Sequence, residues 1–256
     1  MFKYVYPQFE KKRLLRGEML EQLRDYPKNY LKMSFRGYGN GIVTGCEITW
    51  DNERLTIAPG IILYKDNLYT MEMPYEIECA ALDRIRYLKV QFLAEERGNS
   101  SVVGNTRISL DTEKPNEACE IELCRFRLQE GAKLRDEHES FEDYSTMYDT
   151  INIIHVPYAA DGNSTLNPRL LMTFAKEMIS KDSSNLMDCV FSMSVLANSG
   201  HVSRDFIQEY VFNRTSERAD ENYSIYRGLL DILKSQQSGR SVKSNNAQST
   251  KGVMLL

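Results

Sequence analysis

Histidine is scarce in this chain: His138, His155 and His201 are all that 256 residues hold. No two of them stand at ligand spacing, so a metal centre built on imidazole is not expected. His138 lies in Asp-Glu-His-Glu-Ser, which could hold a cation only weakly, and His155 follows Ile151 and Ile153 on one strand face, as a core or interface histidine does. No apolar run approaches the roughly 18 residues of a membrane-spanning helix. The start, Met-Phe-Lys-Tyr-Val-Tyr-Pro-Gln-Phe-Glu-Lys-Lys-Arg, lacks the hydrophobic core of a secretory signal. The five cysteines (Cys46, Cys79, Cys119, Cys124 and Cys189) are odd in number and form no CxxC pair. Buried free thiols in a reducing, intracellular compartment are the expectation. Cys119 and Cys124 share a predicted strand, and their odd offset places them on opposite faces, where they cannot share a metal.

Familiar catalytic signatures are missing as well: there is no Walker-type phosphate loop, no GxSxG and no HExxH. Gly37, Gly39, Gly41 and Gly45 invite a phosphate-binding reading, but that chemistry needs a helix amino terminus directly after the glycines. A β-branched run follows instead, so these are hairpin glycines or points of close backbone approach. With 36 Asp and Glu, some pair always looks suited to acid–base work, yet none ends a recognisable catalytic strand. No catalytic residue, metal ligand or cofactor-binding residue is assigned, and the protein is read as a non-enzyme.

The bulk composition is that of an ordinary soluble chain, with 42% hydrophobic and 27% charged residues. One large domain or two small ones fit the length. The net charge of −4 does not suit a polyanion binder, and no nucleic-acid partner is expected.

Residues 1–36 form a basic arm, with nine lysines and arginines against four acids. Phe9, Leu14, Leu15, Leu20 and Leu23 recur at near-helical spacing, predicting a short amphipathic helix over 15–25 that Pro27 ends. Residues 37–160 read as a β-rich domain. Its opening is a meander of short runs separated by Asp51-Asn-Glu, Pro59-Gly60 and Lys65-Asp66-Asn67. Ile42, Cys46, Ile48 and Trp50 share a face of the first run, and the predicted β-core is Ile42, Trp50, Leu55, Ile57 and Ile61. Further strands are predicted over 86–94, 107–110 and 119–128. In the last, the apolar residues change face after Leu123, as at a bulge or in a strand covered on both sides. Residues 131–150 are an acidic connector. Whether the β-like run Ile151-Asn-Ile-Ile-His-Val-Pro-Tyr joins the β-domain is left open.

From 161 to 236 the period is helical. Asn167-Pro168 caps a helix bearing Leu170, Leu171, Phe174, Met178 and Ile179. A second helix over 184–197 carries Leu186, Met187, Val190, Phe191, Val195 and Leu196. Ser203 caps a third with Phe206, Ile207 and Tyr210, and Asn222 a fourth with Tyr226, Leu229, Leu230 and Leu233. The expected fold is α+β: an antiparallel β-domain (meander, barrel or sandwich) followed by a small helical bundle. Residues 237–256, with three cations and no acid, form a flexible tail.

Over residues 9–73 the order of features resembles a known family. An amphipathic opening leads into Gly39-Asn-Gly-Ile-Val-Thr-Gly-Cys-Glu-Ile, then Leu55-Thr-Ile-Ala-Pro-Gly-Ile-Ile and a turn into Leu68-Tyr. This arrangement is similar to baseplate and tail-attachment proteins of contractile phage tails and phage-like injection systems, and is reminiscent of type VI secretion baseplate adaptors. The resemblance implies a structural subunit with no cofactor, assembling with itself as an oligomer, expected to be a trimer, and with other baseplate or tail proteins. It would assemble in the cytoplasm and become part of a phage-like particle or injection machine. Arg13, Arg16, Phe206 and Tyr210 are the candidate contact residues. Two alternatives stand beside it. One is a receptor- or glycan-binding module using Tyr64, Tyr69 or Tyr75; the other is a tail-associated hydrolase with paired carboxylates in a cleft.

Overall fold

The computed structural model describes residues 7–9, 11, 14, 16–51, 54–99, 101–181 and 185–237. The first helix, α1 (Gly17–Ser34), is longer than predicted because it runs through Pro27. Proline removes one N–H from the ladder and leaves the carbonyl four residues earlier, that of Leu23, without its donor. Leu23 is 53% exposed, so water can take that place. No residue of α1 is buried.

The first β-run is a pair of strands rather than one, β1 (Gly41–Gly45) and β2 (Ile48–Asp51). After them come β3 (Arg54–Ile57), β4 (Gly60–Tyr64), β5 (Asn67–Met71) and β6 (Tyr75–Glu78). All pairings among them are antiparallel, in two sheets ordered β1-β4-β5 and β2-β3-β6. One bent ribbon therefore belongs to both sheets, and the bend lies where Gly45 faces Gly60. Gly45 has φ +71, and a Cβ there would lie 2.0 Å from the Pro59 carbonyl oxygen. Only glycine fits. Cys46 also takes a positive φ, 61°, and its N–H donates to the Pro59 carbonyl across the bend. The tight turn from β4 to β5 is Lys65-Asp66, both with positive φ, which matches the right-handed twist of a hairpin.

Leu55 and Ile57 are fully buried and Ile42 nearly so, while Trp50 packs on the core from a partly exposed position. Ile61 departs from its predicted core position. Along β4, Ile62 and Tyr64 face the same side as Ile42, which pairs with Ile62; the opposite side covers Leu63 but leaves Ile61, next to the bend, half-buried.

The next sheet has β7 (Ile85–Phe92) at its centre, after which come β8 (Glu96–Arg97), β9 (Val102–Val103), β10 (Thr106–Asp111) and β11 (Glu120–Arg127). Its order is β10-β7-β11, with β8 and β9 as a separate small ribbon. The predicted change of face in β11 is a register shift between Glu122 and Cys124, and the strand is covered on both sides over most of its length. Lys89, in the middle of β7, is 4% exposed and is held by Asp111 at 3.3 Å and Glu120 at 3.2 Å. A buried ammonium requires such partners.

The acidic connector is part of the core. Phe141 and Tyr144, around a 3-10 turn at Glu142–Ser145, are 0% and 1% exposed. Tyr226 donates its hydroxyl to the Phe141 carbonyl, tying this turn to the helices. The run after the connector does join the β-half: Asn152 exchanges backbone bonds with Arg125, and Ala159 donates to the Ile42 carbonyl. Ile151, Ile154 and Val156 are buried.

The four helices that follow are α2 (Pro168–Ser180), α3 (Leu186–Ala197), α4 (Arg204–Thr215) and α5 (Asn222–Gln237). Asn167 and Ser203 cap α2 and α4 as predicted, accepting from the Arg169 and Phe206 N–H groups. The fold is thus α+β, antiparallel sheets followed by helices, and one continuous apolar core runs from Ile42 to Leu233 through both halves. Among the described residues no helix is long and apolar enough to cross a membrane. The predicted tail lies outside the described residues from 238 onward.

Candidate functional site

Helix α3 is apolar nearly all the way round, yet only one side of it is covered. Phe191 and Val195 are buried, with Phe191 stacked on Tyr210 of α4 at 3.9 Å and meeting Phe174 of α2 edge-on at 5.8 Å. On the other side Leu186, Val190 and Met193, at i, i+4 and i+7, are 77%, 54% and 63% exposed. They make one stripe down the helix, with Met187 beside it. Ile179, one of the apolar residues expected along the stripe of α2, is also exposed. Its period places it off the buried stripe of Leu171, Ala175 and Met178.

The four candidate contact residues are not brought together into a single patch by any observed contact. Arg13 lies outside the described residues, and Arg16 is exposed at the amino end of α1 without capping it through its side chain. Phe206 is 38% exposed and stacks on Phe191 at 5.2 Å, which puts it next to α3. Tyr210 is 4% exposed and offers almost no surface. Its ring fills the bundle and its hydroxyl donates to Asp188 at 2.9 Å. The i, i+4 offset from Phe206 to Tyr210 hides this difference, because the helix turns just far enough to take one ring to the rim and the other to the core.

Asp188 is wholly buried in the first turn of α3. Besides Tyr210 it accepts from Arg214 Nε of α4 at 2.8 Å and from Gln236 Nε2 of α5 at 2.7 Å. This node leaves no local signature in the sequence, since Asp188, the Tyr210–Arg214 pair and Gln236 lie on three different helices. Burial pushes the Tyr210 phenol well above its usual range, and the Asp188 carboxylate adds to the effect, so the hydroxyl stays a donor.

The polar clefts hold groups already committed to one another. A cavity of about 630 Å³ opens between β11 and the helices. On its wall Glu122 takes both donors of Arg125, at 2.6 and 2.7 Å, and Arg204 is bound to the Ser164 and Asp220 carbonyls and to Asn222. His155 lines the same cavity, parallel to the Tyr223 ring at 5.8 Å. Burial, with Arg125 and Lys114 nearby, lowers it to about 4. In a second cavity His138 meets the Ile151 carbonyl through Nε2 at 2.8 Å and stacks on Tyr144, and Asp136 accepts the Trp50 N–H. Among the described residues no group of three His, Cys, Asp or Glu could hold a metal ion. Of the tyrosines considered for sugar stacking, Tyr64 is buried against Phe92 at 3.9 Å and Tyr69 is half-buried, while Tyr75 is 43% exposed.

No protein-family model matches the chain, and no curated protein does. Solved structures similar to it are baseplate proteins of type VI secretion. TssK matches with a TM-score of 0.35 and 11% identity, over 95% of this chain and 71% of that one. A chain of the type VI secretion TssK-TssF-TssG baseplate subcomplex matches with a TM-score of 0.41 and 11% identity, over 92% of this chain and 100% of that one. A chain of the type VI secretion baseplate complex matches at 0.28 and 12% identity, over 99% and 94%.

Proposed function

We propose that this protein is a non-enzymatic structural component of the baseplate of a contractile tail or injection system, working through contacts with copies of itself and with other baseplate proteins. The observation that carries the reading is the outer face of α3. Apolar side chains lined up along the outer side of a helix are usually covered by something. Here the inner side is covered by the bundle and the outer stripe of Leu186, Val190 and Met193 is bare in the isolated chain. A contiguous apolar strip of this kind is what a protein partner covers. The kind of machine is suggested by the resemblance of residues 9–73 to baseplate and tail-attachment proteins. Assembly in the cytoplasm and a trimeric state belong to the same proposal.

The test is co-expression of the full chain with the proteins encoded beside it, which the proposal expects to include sheath, tube, spike and baseplate proteins. Affinity capture should recover the wild type in a stable complex with baseplate proteins. A triple variant, Leu186→Gln, Val190→Gln and Met193→Gln, should fold normally and be lost from that complex. Recovery of the wild type alone, or a metabolic gene neighbourhood, would overturn the proposal.

A further inference from the structure

Helix α1 has no buried residue, yet its side chains are sorted into one apolar and one charged side. At about 100° per residue, an arc of about 160° runs from Met33 through Tyr26, Tyr30, Leu23 and Leu20 to Leu31. It holds no charged residue, and these six side chains belong to residues that are 42% to 75% exposed. Arg24, which also holds Asp25 at 2.7 Å, borders the arc beside Leu31, and Gln22 borders it beside Met33. Glu18, Glu21 and Asp25 lie on the opposite side of the helix. Such an arc is wider than the stripe along which two helices pair, and it suits a broad surface.

We infer that α1 lies flat on an anionic lipid surface, with its apolar arc in the headgroup layer. Charge and residue type select this occupant. The chain as a whole is acidic, but its first 16 residues hold five lysines and arginines, with Glu10 as their one acid. That basic run leads into the amino end of α1, where Arg16 stands about 27 Å along the helix from the joint at Gly37. The distance is about three Debye lengths at physiological salt, so acids around the joint are screened from it. With the helix acids turned to the far side, the side that meets the surface presents only cations and neutral groups. Tyr26 and Tyr30 each join an apolar ring to a polar hydroxyl, which fits the boundary between acyl chains and headgroups. A broad apolar arc and an adjacent basic run are the two signals that together hold a peripheral protein on an anionic bilayer. Helix α1 also needs such a support. Alone in water a helix of this length is marginal, and Pro27 weakens it further.

The test is flotation of the purified full chain with vesicles of phosphatidylcholine alone or mixed with phosphatidylglycerol. The wild type should float with the mixed vesicles and bind the neutral ones about tenfold more weakly or worse. The double variant Leu23→Glu and Tyr30→Glu, which puts charges into the arc, should lose about tenfold or more in binding to the mixed vesicles. Its melting temperature should not change, because no α1 residue is buried. Lys12→Ala with Arg13→Ala should cost about tenfold on the mixed vesicles and leave the weak binding to neutral ones as it was. The α3 triple variant should float like the wild type. A wild type that ignores the mixed vesicles overturns the inference, as does equal binding to both kinds. So does an arc variant that floats as the wild type does, or flotation lost through the α3 substitutions instead. Capture of α1 by an acidic protein, with no binding to vesicles, overturns it as well. The inference stands apart from the assembly reading: a chain that floats but captures no baseplate protein removes only that reading, and one that captures them without floating removes only this one.

Discussion

The phenol of Tyr210 donates to the carboxylate of Asp188 at 2.9 Å, deep in the helical bundle and 22 residues away in the chain. With Arg214 and Gln236 on the same carboxylate, three helices are joined through one side chain. Removing the acid leaves the Arg214 guanidinium, whose side chain is 12% exposed, without its counter-charge. Asp188→Ala should therefore cost about 3–5 kcal/mol, the range for breaking a buried ion pair. Tyr210→Phe removes one donor and leaves the ion pair standing, and should cost about 1–2 kcal/mol. Urea unfolding of both variants checks the order. Equal losses would mean that the carboxylate has no central role.

Much of this arrangement was legible in the sequence, wherever the signal was local. Asn167-Pro168 and Ser203 give away helix starts because a cap is decided by its own side chain and the next two or three N–H groups. The change of face at Leu123 announced the bulge in β11 for a similar reason. What stayed hidden was set by tertiary partners. Phe141 and Tyr144 sit in a run whose acidity suggests a solvated connector, but their rings are covered by α2 and α5. On α3 the apolar residues occupy too much of the circumference for periodicity to say which side is inward. Of the candidate contact residues Phe206 was placed at a surface and Tyr210 was not, because only packing distinguishes two rings one turn apart.

The shared ribbon of the two front sheets makes a sharp demand at Gly45. An alanine there would have to hold φ near +71 and place its Cβ on the Pro59 oxygen. Gly45→Ala should cost about 3 kcal/mol or more, combining left-handed strain with a backbone clash. Thermal unfolding of this variant should show the loss; stability equal to wild type would mean the ribbon does not bend there.

His155 gives stability a dependence on pH. Its folded value is lowered to about 4, chiefly by burial, against an unfolded value near 6.5. Above about pH 6.5 the ring is neutral in both states and the full contribution is present. As pH falls toward 4 the unfolded chain takes up the proton first, and stability is lost across that window. His155→Gln should flatten this part of the profile in denaturation measured at a series of pH values. An unchanged slope between pH 6.5 and 4 would contradict the buried placement of the ring.

Asp143 acts lower on the scale. Partial burial would push its carboxyl up, but the Arg135 guanidinium, the Glu139 N–H and the Thr146 hydroxyl together outweigh that and hold it at about 2. Its folded value lies below the unfolded one, so the contribution is whole above about pH 4 and is lost as pH falls toward 2. Arg135 is 38% exposed, and screening reduces the expected contribution to about 1 kcal/mol. Asp143→Asn should remove the lowest step of the acid profile and leave the step from His155 in place.

The two sides of α3 should respond to substitution in opposite ways. Phe191 is 2% exposed and lies among Phe174, Phe206 and Tyr210, so Phe191→Ala should cost about 3–5 kcal/mol through the cavity it leaves. Val190, the preceding residue, is 54% exposed and turned to the other side. Val190→Gln should change the stability of the isolated chain by no more than about 0.5 kcal/mol, as surface substitutions do. Urea unfolding of the two variants under one set of conditions makes the comparison. If Val190→Gln destabilised the isolated chain as Phe191→Ala does, the outer stripe would already be covered within a single copy, and α3 would have no bare face left for a partner.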